Sequence, residues 1–479
     1  MGSDKPLHIL LFPFMAQGHI LPMLDMAKLF AVRGLKATIL TTPANSPLFQ
    51  PSIDRANGSG YSYPIQLHLI PFPSGSGLPE GCENMSFVPS HLKPNFFEAT
   101  RMLREPFDQV LRGLLPDCVV TGAFFPWTTD VAAERGIPRL VFYGSNYFSR
   151  CASYTVKRHK ILENSTEEME PLLLPDLPHR IELLKSQIQD FKKAAPFLVD
   201  LLNQVYESES RSYGLLVNSF YELEPDYADY YRNVIGGRTW AIGPMSLCNE
   251  DAFEKSSRGN FAKEFDHDAC LNWLDSKSAG SVIYVCFGSA CEFTVAQLRE
   301  LALGLEASNH PFIWVVRKGG EEAIPRGFEE RVKGKGFIIQ GWAPQVLILN
   351  HKAVGGFLTH CGWNSSLEGI SAGLPFITWP LFAEQFYNER LITDVLRIGI
   401  AVGVKEYTWR PEERALVEAA IIEKEVNRLM GEGEEAEERR RKAKELGEKA
   451  KKAVDEEGSS YVGLSNLIEE LKGNVKNQA

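Results

Sequence analysis

Between Trp342 and Gln385 the chain reads WAPQVLILNHKAVGGFLTHCGWNSSLEGISAGLPFITWPLFAEQ, with aromatic, cationic, amide, hydroxyl and carboxylate side chains at intervals suited to a phosphorylated sugar ligand. Trp342 and Trp363 offer flat rings, His360 an imidazole able to carry charge, and Asn364-Ser365 a polar turn at a predicted helix start. Backbone N–H groups at a helix start are unpaired and partly positive, so a diphosphate fits at Trp363 to Ser365. Glu368, one turn further on, can accept two hydroxyls of a ribose, and Glu384 with Gln385 can do the same for a hexose. Taken singly, each of these residues is an ordinary core or loop residue. Jointly they are not, because a core asks only for apolar volume and has no use for this polar set at one end of successive strands and helices.

A second candidate lies far upstream. His19 stands in the turn Gln17-Gly18-His19, after a first apolar run and at the mouth of a helix. That is the carboxyl edge of a strand, where open α/β sheets bind ligands. An imidazole there suits general-base work on an attacking hydroxyl, and a helix-capping role is the competing reading.

The elements that must position these groups alternate strand and helix. The first half gives LHILLFP, a helix from about His19 to Arg33 stopped by Gly34, LKATILT, DCVVTGA, a helix near Trp127 to Arg135, and RLVFY. The second half opens on SVIYVCFGS, continues with a helix whose Thr294 and Gln297 form a capping-box pattern, then FIWVVR, FIIQ, VGGFLT and PFITW. This is βαβ order, which predicts an α/β fold of two parallel sheets flanked by helices. The polar stretch 248–268 reads as the linker between an acceptor-binding domain, 1–247, and a donor-binding domain, 269–457. Alanines and a leucine at helical spacing between Glu432 and Glu457 predict an amphipathic helix with a solvated face, followed by a last helix within 458–479. Phe14, Met15, Phe124, Trp127, Tyr147 and Phe148 fall near strand ends in the first half and predict an apolar acceptor pocket.

At 479 residues, with a net charge of −10 and no basic stripe, the chain has room for two or three domains and no electrostatic case for nucleic acid. Its eight cysteines show no metal-ligand spacing, which fits reduced thiols in the cytoplasm. The N-terminal apolar run is too short to span a bilayer. A nicotinamide enzyme would need a glycine fingerprint after the first strand, and FPFMAQGHILP lacks the spacing.

The Trp342–Gln385 segment resembles, without a gap, the signature box of plant secondary-product glycosyltransferases, which move a sugar from UDP onto small lipophilic acceptors. The resemblance extends through Ser289 in the FGS turn, WAIGP ahead of the linker and FPFMAQGHILPMLDMAKLF near the start, and so covers essentially the whole chain. It implies a GT-B architecture of two facing Rossmann-like domains, with the last helix crossing back onto the first. It further implies that Trp342 stacks on uracil while Gln345 and the Ala343 backbone read its edge. His360, Asn364, Ser365 and Ser289 would hold the phosphates, Glu368 the ribose, Glu384 and Gln385 the transferred sugar, and Ser145 would touch sugar or phosphate. His19 becomes the general base of an inverting, metal-independent transfer in which the UDP-sugar is a co-substrate and no cofactor is needed, in a monomer.

One departure stands out. Family members usually place an Asp at the position of Gly122, where it orients the histidine and stabilises its protonated form. Three expectations follow: acidic acceptors that need little base, a substitute carboxylate such as Asp117 or Asp130, or an altered enzyme. A UDP-sugar-binding homologue with weak transfer, and C–C in place of C–O bond formation, are the alternatives that Gly122 raises.

Overall fold

The computed structural model of the protein describes residues 5–163, 167–190, 195–258, 266–317, 320, 322 and 324–478. In chain order the strands are β1 (His8–Phe12), β2 (Lys36–Thr41), β3 (Gln66–Leu69), β4 (Cys118–Gly122), β5 (Arg139–Phe142), β6 (Pro171–Leu174), β7 (Ile181–Leu184), β8 (Gly214–Val217), β9 (Thr239–Ala241), β10 (Val282–Cys286), β11 (Phe312–Val316), β12 (Gly336–Gln340), β13 (Val354–Thr359), β14 (Phe376–Thr378) and β15 (Gly399–Ala401). The first sheet has the order β3-β2-β1-β4-β5-β8-β9 and the second β12-β11-β10-β13-β14-β15. Every pairing within these two sheets is parallel, and β6-β7 form a separate antiparallel hairpin. The expected α/β class with two parallel, Rossmann-like sheets is what the structure shows.

Central strands are apolar on both faces because helices cover both. β1, β4 and β10 are buried along their whole length, as parallel sheets require. Helix Gln17–Val32 leaves β1 and is stopped where Gly34 takes a φ of +74°. Helix Glu434–Val454 buries Ala436, Ala443, Leu446, Ala450 and Ala453 and keeps its charged face outward. The last helix, Ser459–Gln478, packs Leu464, Leu467, Ile468 and Leu471 into the core of the first sheet, beside Trp240 and Ile242.

Two local expectations change. Thr294 does cap helix Val295–Ser308, accepting the Gln297 N–H at 3.2 Å, but the Gln297 side chain bonds both backbone groups of Val417 instead of closing the box. The stretch expected to be an unstructured linker holds a short helix, Ala252–Ser257, whose cap Asp251 accepts the Glu254 N–H at 2.7 Å. Its six residues are too few to show a period in sequence. Residues 259–265 of that linker lie outside the described residues.

Both sheets change winding direction beside their first strand, between β1 and β4 and between β10 and β13. Crevices open at the carboxyl ends of strands at such switch points. The loops leaving those ends meet across the two halves: Asn364 Nδ2 donates to Gly18 O at 2.8 Å, Trp363 Nε1 to Asn218 O at 2.7 Å, and Asn146 Nδ2 to Asn388 Oδ1 at 2.8 Å.

Candidate active site

Helix Trp363–Ser371 begins directly beyond β13, and no side chain caps its first turn. Cys361 is held at φ +64° just before it, a left-handed conformation that costs a non-glycine residue about 1–3 kcal/mol and gathers at functional sites. The turn aims the helix N-terminus, with its partial positive charge, into the junction of the two halves. His360 lies in the crook between this helix start and the turn that carries Ser289. A Cβ on Gly288 would approach the imidazole to 2.7 Å and one on Gly362 to 2.3 Å, so both positions must be glycine for the ring to lie there. Burial lowers the pKa of His360 to about 4, which leaves the ring neutral at pH 7 in the protein alone. A diphosphate would reverse that balance by supplying the opposite charge.

Further along the second half, Trp342 follows β12 after Gly341, whose φ of +88° turns the chain, and it remains partly exposed, as a stacking ring must. Ala343 is buried behind it. Glu368 stands on the Trp363–Ser371 helix, buried, with Gln345 Nε2 donating to its Oε2 at 2.7 Å and to Ser365 Oγ at 3.0 Å. Gln345 Oε1 in turn lies 3.5 Å from Tyr284 Oη. The Gln345 side chain thus engages both Glu368 and Ser365. Glu384 stands at the N-cap position of helix Gln385–Arg390 without a side-chain capping bond. Burial is the main influence on its carboxyl and raises its pKa. Gln385 Oε1 accepts the Leu381 and Phe382 N–H groups at 2.8 and 3.1 Å, which fixes the orientation of its side-chain amide.

Trp363 is a correction. Its ring is 1% exposed within the core, and its indole N–H is spent on Asn218 O. It offers a ligand no face.

The other half supplies His19. Its ring stands edge-on to Phe14, centroids 5.5 Å apart, and to Phe124 at 5.7 Å. Phe97 stacks on Phe14 at 5.8 Å and Phe197 lies 6.0 Å from Phe97, which extends an aromatic wall around the imidazole. Of the expected acceptor residues, Phe14 and Phe124 belong to this wall. Met15 is buried and its carbonyl accepts the Met85 N–H. Trp127, Tyr147 and Phe148 are corrections. Trp127 packs on Phe12, Phe107 and Phe125 behind the sheet. Tyr147 and Phe148 are fully buried, the first bonded to Thr239 Oγ1 and the second packed on Tyr227. A residue following a strand faces either the cleft or the neighbouring helix layer, and these three turn to the layer.

Three polar atoms buried around this junction have no partner among the described residues: His19 Nδ1, Ser145 Oγ and Asn364 Oδ1. Buried polar groups are normally satisfied, so their convergence marks a place built for a ligand. His19 receives no carboxylate. Asp117 accepts the His8 N–H at the opposite edge of the sheet, and Asp130 pairs with Arg211, which removes the expected substitutes. Burial lowers the His19 pKa to about 4.

Sequence reasoning missed Phe97, Phe197 and above all Arg258. Arg258, from the linker, is ion-paired with Glu368 and, at 2.9 Å, with Asp25 on helix Gln17–Val32. All three side chains are less than a tenth exposed. The guanidinium thus joins the two halves and covers the carboxylate expected to take a ribose. Nothing in a polar linker singles out one arginine; only the fold brings it to Glu368.

Among the described residues no cluster of His, Cys, Asp and Glu could hold a metal ion, and no helix is long and apolar enough to cross a membrane. A family model described as "Glycosyltransferase, N-terminal domain" matches residues 5–247, and one described as "UDP-glucoronosyl and UDP-glucosyl transferase" matches residues 253–426. The chain is 49% identical to a scopoletin glucosyltransferase of Nicotiana tabacum, over 97% of this chain and 98% of that one. It is also 49% identical to an anthocyanin 3'-O-beta-glucosyltransferase of Gentiana triflora, with the same two coverages. Among solved structures, the Glycyrrhiza uralensis protein UGT73P12 complexed with glycyrrhetinic acid 3-O-monoglucuronide superposes with a TM-score of 0.93 at 43% identity, covering 99% of this chain and 97% of that one. A Phytolacca americana protein complexed with UDP-2fluoro-glucose and pterostilbene gives 0.78 at 28% identity, over 98% and 100%.

Proposed function

The chain belongs to the plant UDP-glycosyltransferase family, and on that premise we propose that it transfers glucose from UDP-glucose, with inversion and without a metal, to a hydroxyl of a small phenolic, flavonoid or terpenoid acceptor, as a monomer in the cytoplasm. The observation that carries this reading is the 2.8 Å bond from Asn364 to Gly18 O. It ties the first turn of the phosphate-binding helix to the residue before His19, so a sugar held beyond the diphosphate projects toward the imidazole.

The chemistry follows from that placement. Uracil lies on Trp342, the ribose reaches Glu368, and the diphosphate sits at Asn364-Ser365 with His360 and Ser289 beside it. Glu384 and the amide of Gln385 fix the hexose. The acceptor oxygen attacks the anomeric carbon from the His19 side while the diphosphate departs on the other, and a single displacement inverts that carbon. Charge building on the leaving diphosphate is answered by the helix N-terminus and by His360, whose protonation the phosphates favour. The glucosyltransferase names of the tobacco and gentian relatives support glucose as the sugar.

Incubation with UDP-glucose and a panel of phenols, flavonoids and alcohols, read by mass spectrometry, tests the proposal; glucosides are expected. A second reading, a UDP-sugar-binding homologue with little transfer, is favoured by the absence of a carboxylate at His19, and calorimetric binding without product from any acceptor would support it.

A further inference from the structure

We propose that this transferase serves acceptors whose hydroxyl is already ionised when it binds, such as phenols acidified by a conjugated carbonyl, and that His19 meets them as a hydrogen-bond donor instead of a base. The inference deepens the transferase reading above and rests on it.

The place of an orienting carboxylate is taken. A Cβ built on Gly122 would stand 2.9 Å from Phe14 N and 3.1 Å from Phe14 Cβ, so the Phe14 backbone lies where a side chain would begin. The groups packed around His19 are Phe14 from the loop after β1, Phe124 from the loop after β4, Gly144 from the loop after β5, and Asn364 across the junction through Gly18. None is charged, and Nδ1 has no partner among the described residues. With burial as the sole influence on its proton, the ring prefers the neutral form down to about pH 4.

So weak a base takes a proton only from an acidic hydroxyl, and the imidazolium formed would stand among aromatic rings with no carboxylate of the protein beside it. A neutral imidazole still keeps one N–H, and an oxyanion is a strong acceptor for it. In the proposed step the acceptor has lost its proton to solvent before binding. A lone pair of its oxyanion forms the bond to the anomeric carbon, the bond from that carbon to the diphosphate oxygen breaks, and UDP leaves with the electron pair. The acceptor's negative charge passes to the leaving UDP, and no proton crosses the enzyme.

The test is kcat/KM with UDP-glucose for phenols whose pKa values span about 5 to 10, and for a primary alcohol, each measured against pH; the range brackets the tyrosine-like phenol near 10. Each phenol's profile should break at that phenol's own pKa, fall about tenfold per pH unit below it, and move when the phenol is changed. The alcohol should be slower by about 10²–10⁴-fold, the usual worth of a working base. Gly122→Asp, where it folds, should introduce a break common to all acceptors and raise turnover of the alcohol more than that of the phenols; the wild-type series decides the matter without it. A break at one fixed pH for every acceptor, or an alcohol as fast as an acidic phenol, overturns the inference while leaving the transferase reading intact. Transfer to none of them overturns both.

Discussion

Arg258→Ala should loosen the protein and tighten its grip on UDP. In the wild type the guanidinium joins Asp25 to Glu368, with side chains 9%, 2% and 5% exposed. Among the described residues, removing it leaves the two buried carboxylates with neutral side-chain partners, Asn249 for Asp25 and Gln345 for Glu368. Breaking a buried pair in this way costs about 3–5 kcal/mol, which corresponds to a fall in Tm on the order of 10 °C for a half of this size. The effect on the nucleotide has the opposite sign. A carboxylate so thoroughly covered cannot be reached by a ribose unless its cover moves, and a hydrogen bond to a charged group is worth about 1.5–3 kcal/mol. Relieving UDP of that displacement should lower its Kd on the order of tenfold, since about 1.4 kcal/mol is one decade. Titration calorimetry at a temperature where both proteins are folded measures the affinity, and differential scanning calorimetry the stability. UDP should also raise the Tm of the variant more than that of the wild type, because the ribose replaces the lost partner of Glu368. If Arg258→Ala is stable yet binds UDP tenfold more weakly, Arg258 is a ligand for the nucleotide and the displacement argument is wrong.

Trp342→Ala should weaken UDP binding about 5- to 150-fold, the worth of roughly 1–3 kcal/mol of base stacking, with little change in Tm. Trp363→Phe should do the reverse: it leaves Asn218 O without its buried donor and lowers stability by about 1–3 kcal/mol, while calorimetry finds UDP affinity changed by no more than about threefold. UDP-glucose should bind more tightly as pH falls from 8 toward 5. His360 has a pKa of about 4 in the protein alone and a higher one beside the diphosphate, so the complex holds more protons than the free protein between those two values. The gain is at most about tenfold per pH unit, and the same titration with His360→Gln should give a flat profile.

How far the sequence carried depends on what each residue must face. β1, β2, β4, β5, β10, β11, β13 and β14 are legible because strands covered on both faces read as unbroken apolar runs, and the half-buried edge strand β12 is legible from its short apolar run FII. β3 is an edge strand with Leu69 exposed, and β9 and β15 have three residues each; neither kind shows a period to read. In the site, the helix start at Asn364-Ser365 and Glu368 stand out in the sequence as polar residue types that a core would not call for, whereas the glycines that admit His360 become apparent only in the fold. The direction of an aromatic side chain after a strand does not follow. Tyr147, Phe148 and Trp127 resemble Phe124 in sequence, yet they pack into the helix layers while Phe124 stands beside His19. Phe97 and Phe197 lie on helices that nothing in their own spacing brings to the imidazole, and Arg258 gains its meaning only from Asp25 and Glu368.

A structure of the protein with UDP-2-fluoroglucose and a phenolic acceptor tests the central claim most directly. The uracil is predicted on the Trp342 ring, the diphosphate at the amides of Asn364 and Ser365, Arg258 withdrawn from Glu368, and the acceptor oxygen between the anomeric carbon and His19. A sugar directed away from His19, or a diphosphate seated elsewhere than this helix start, would contradict it.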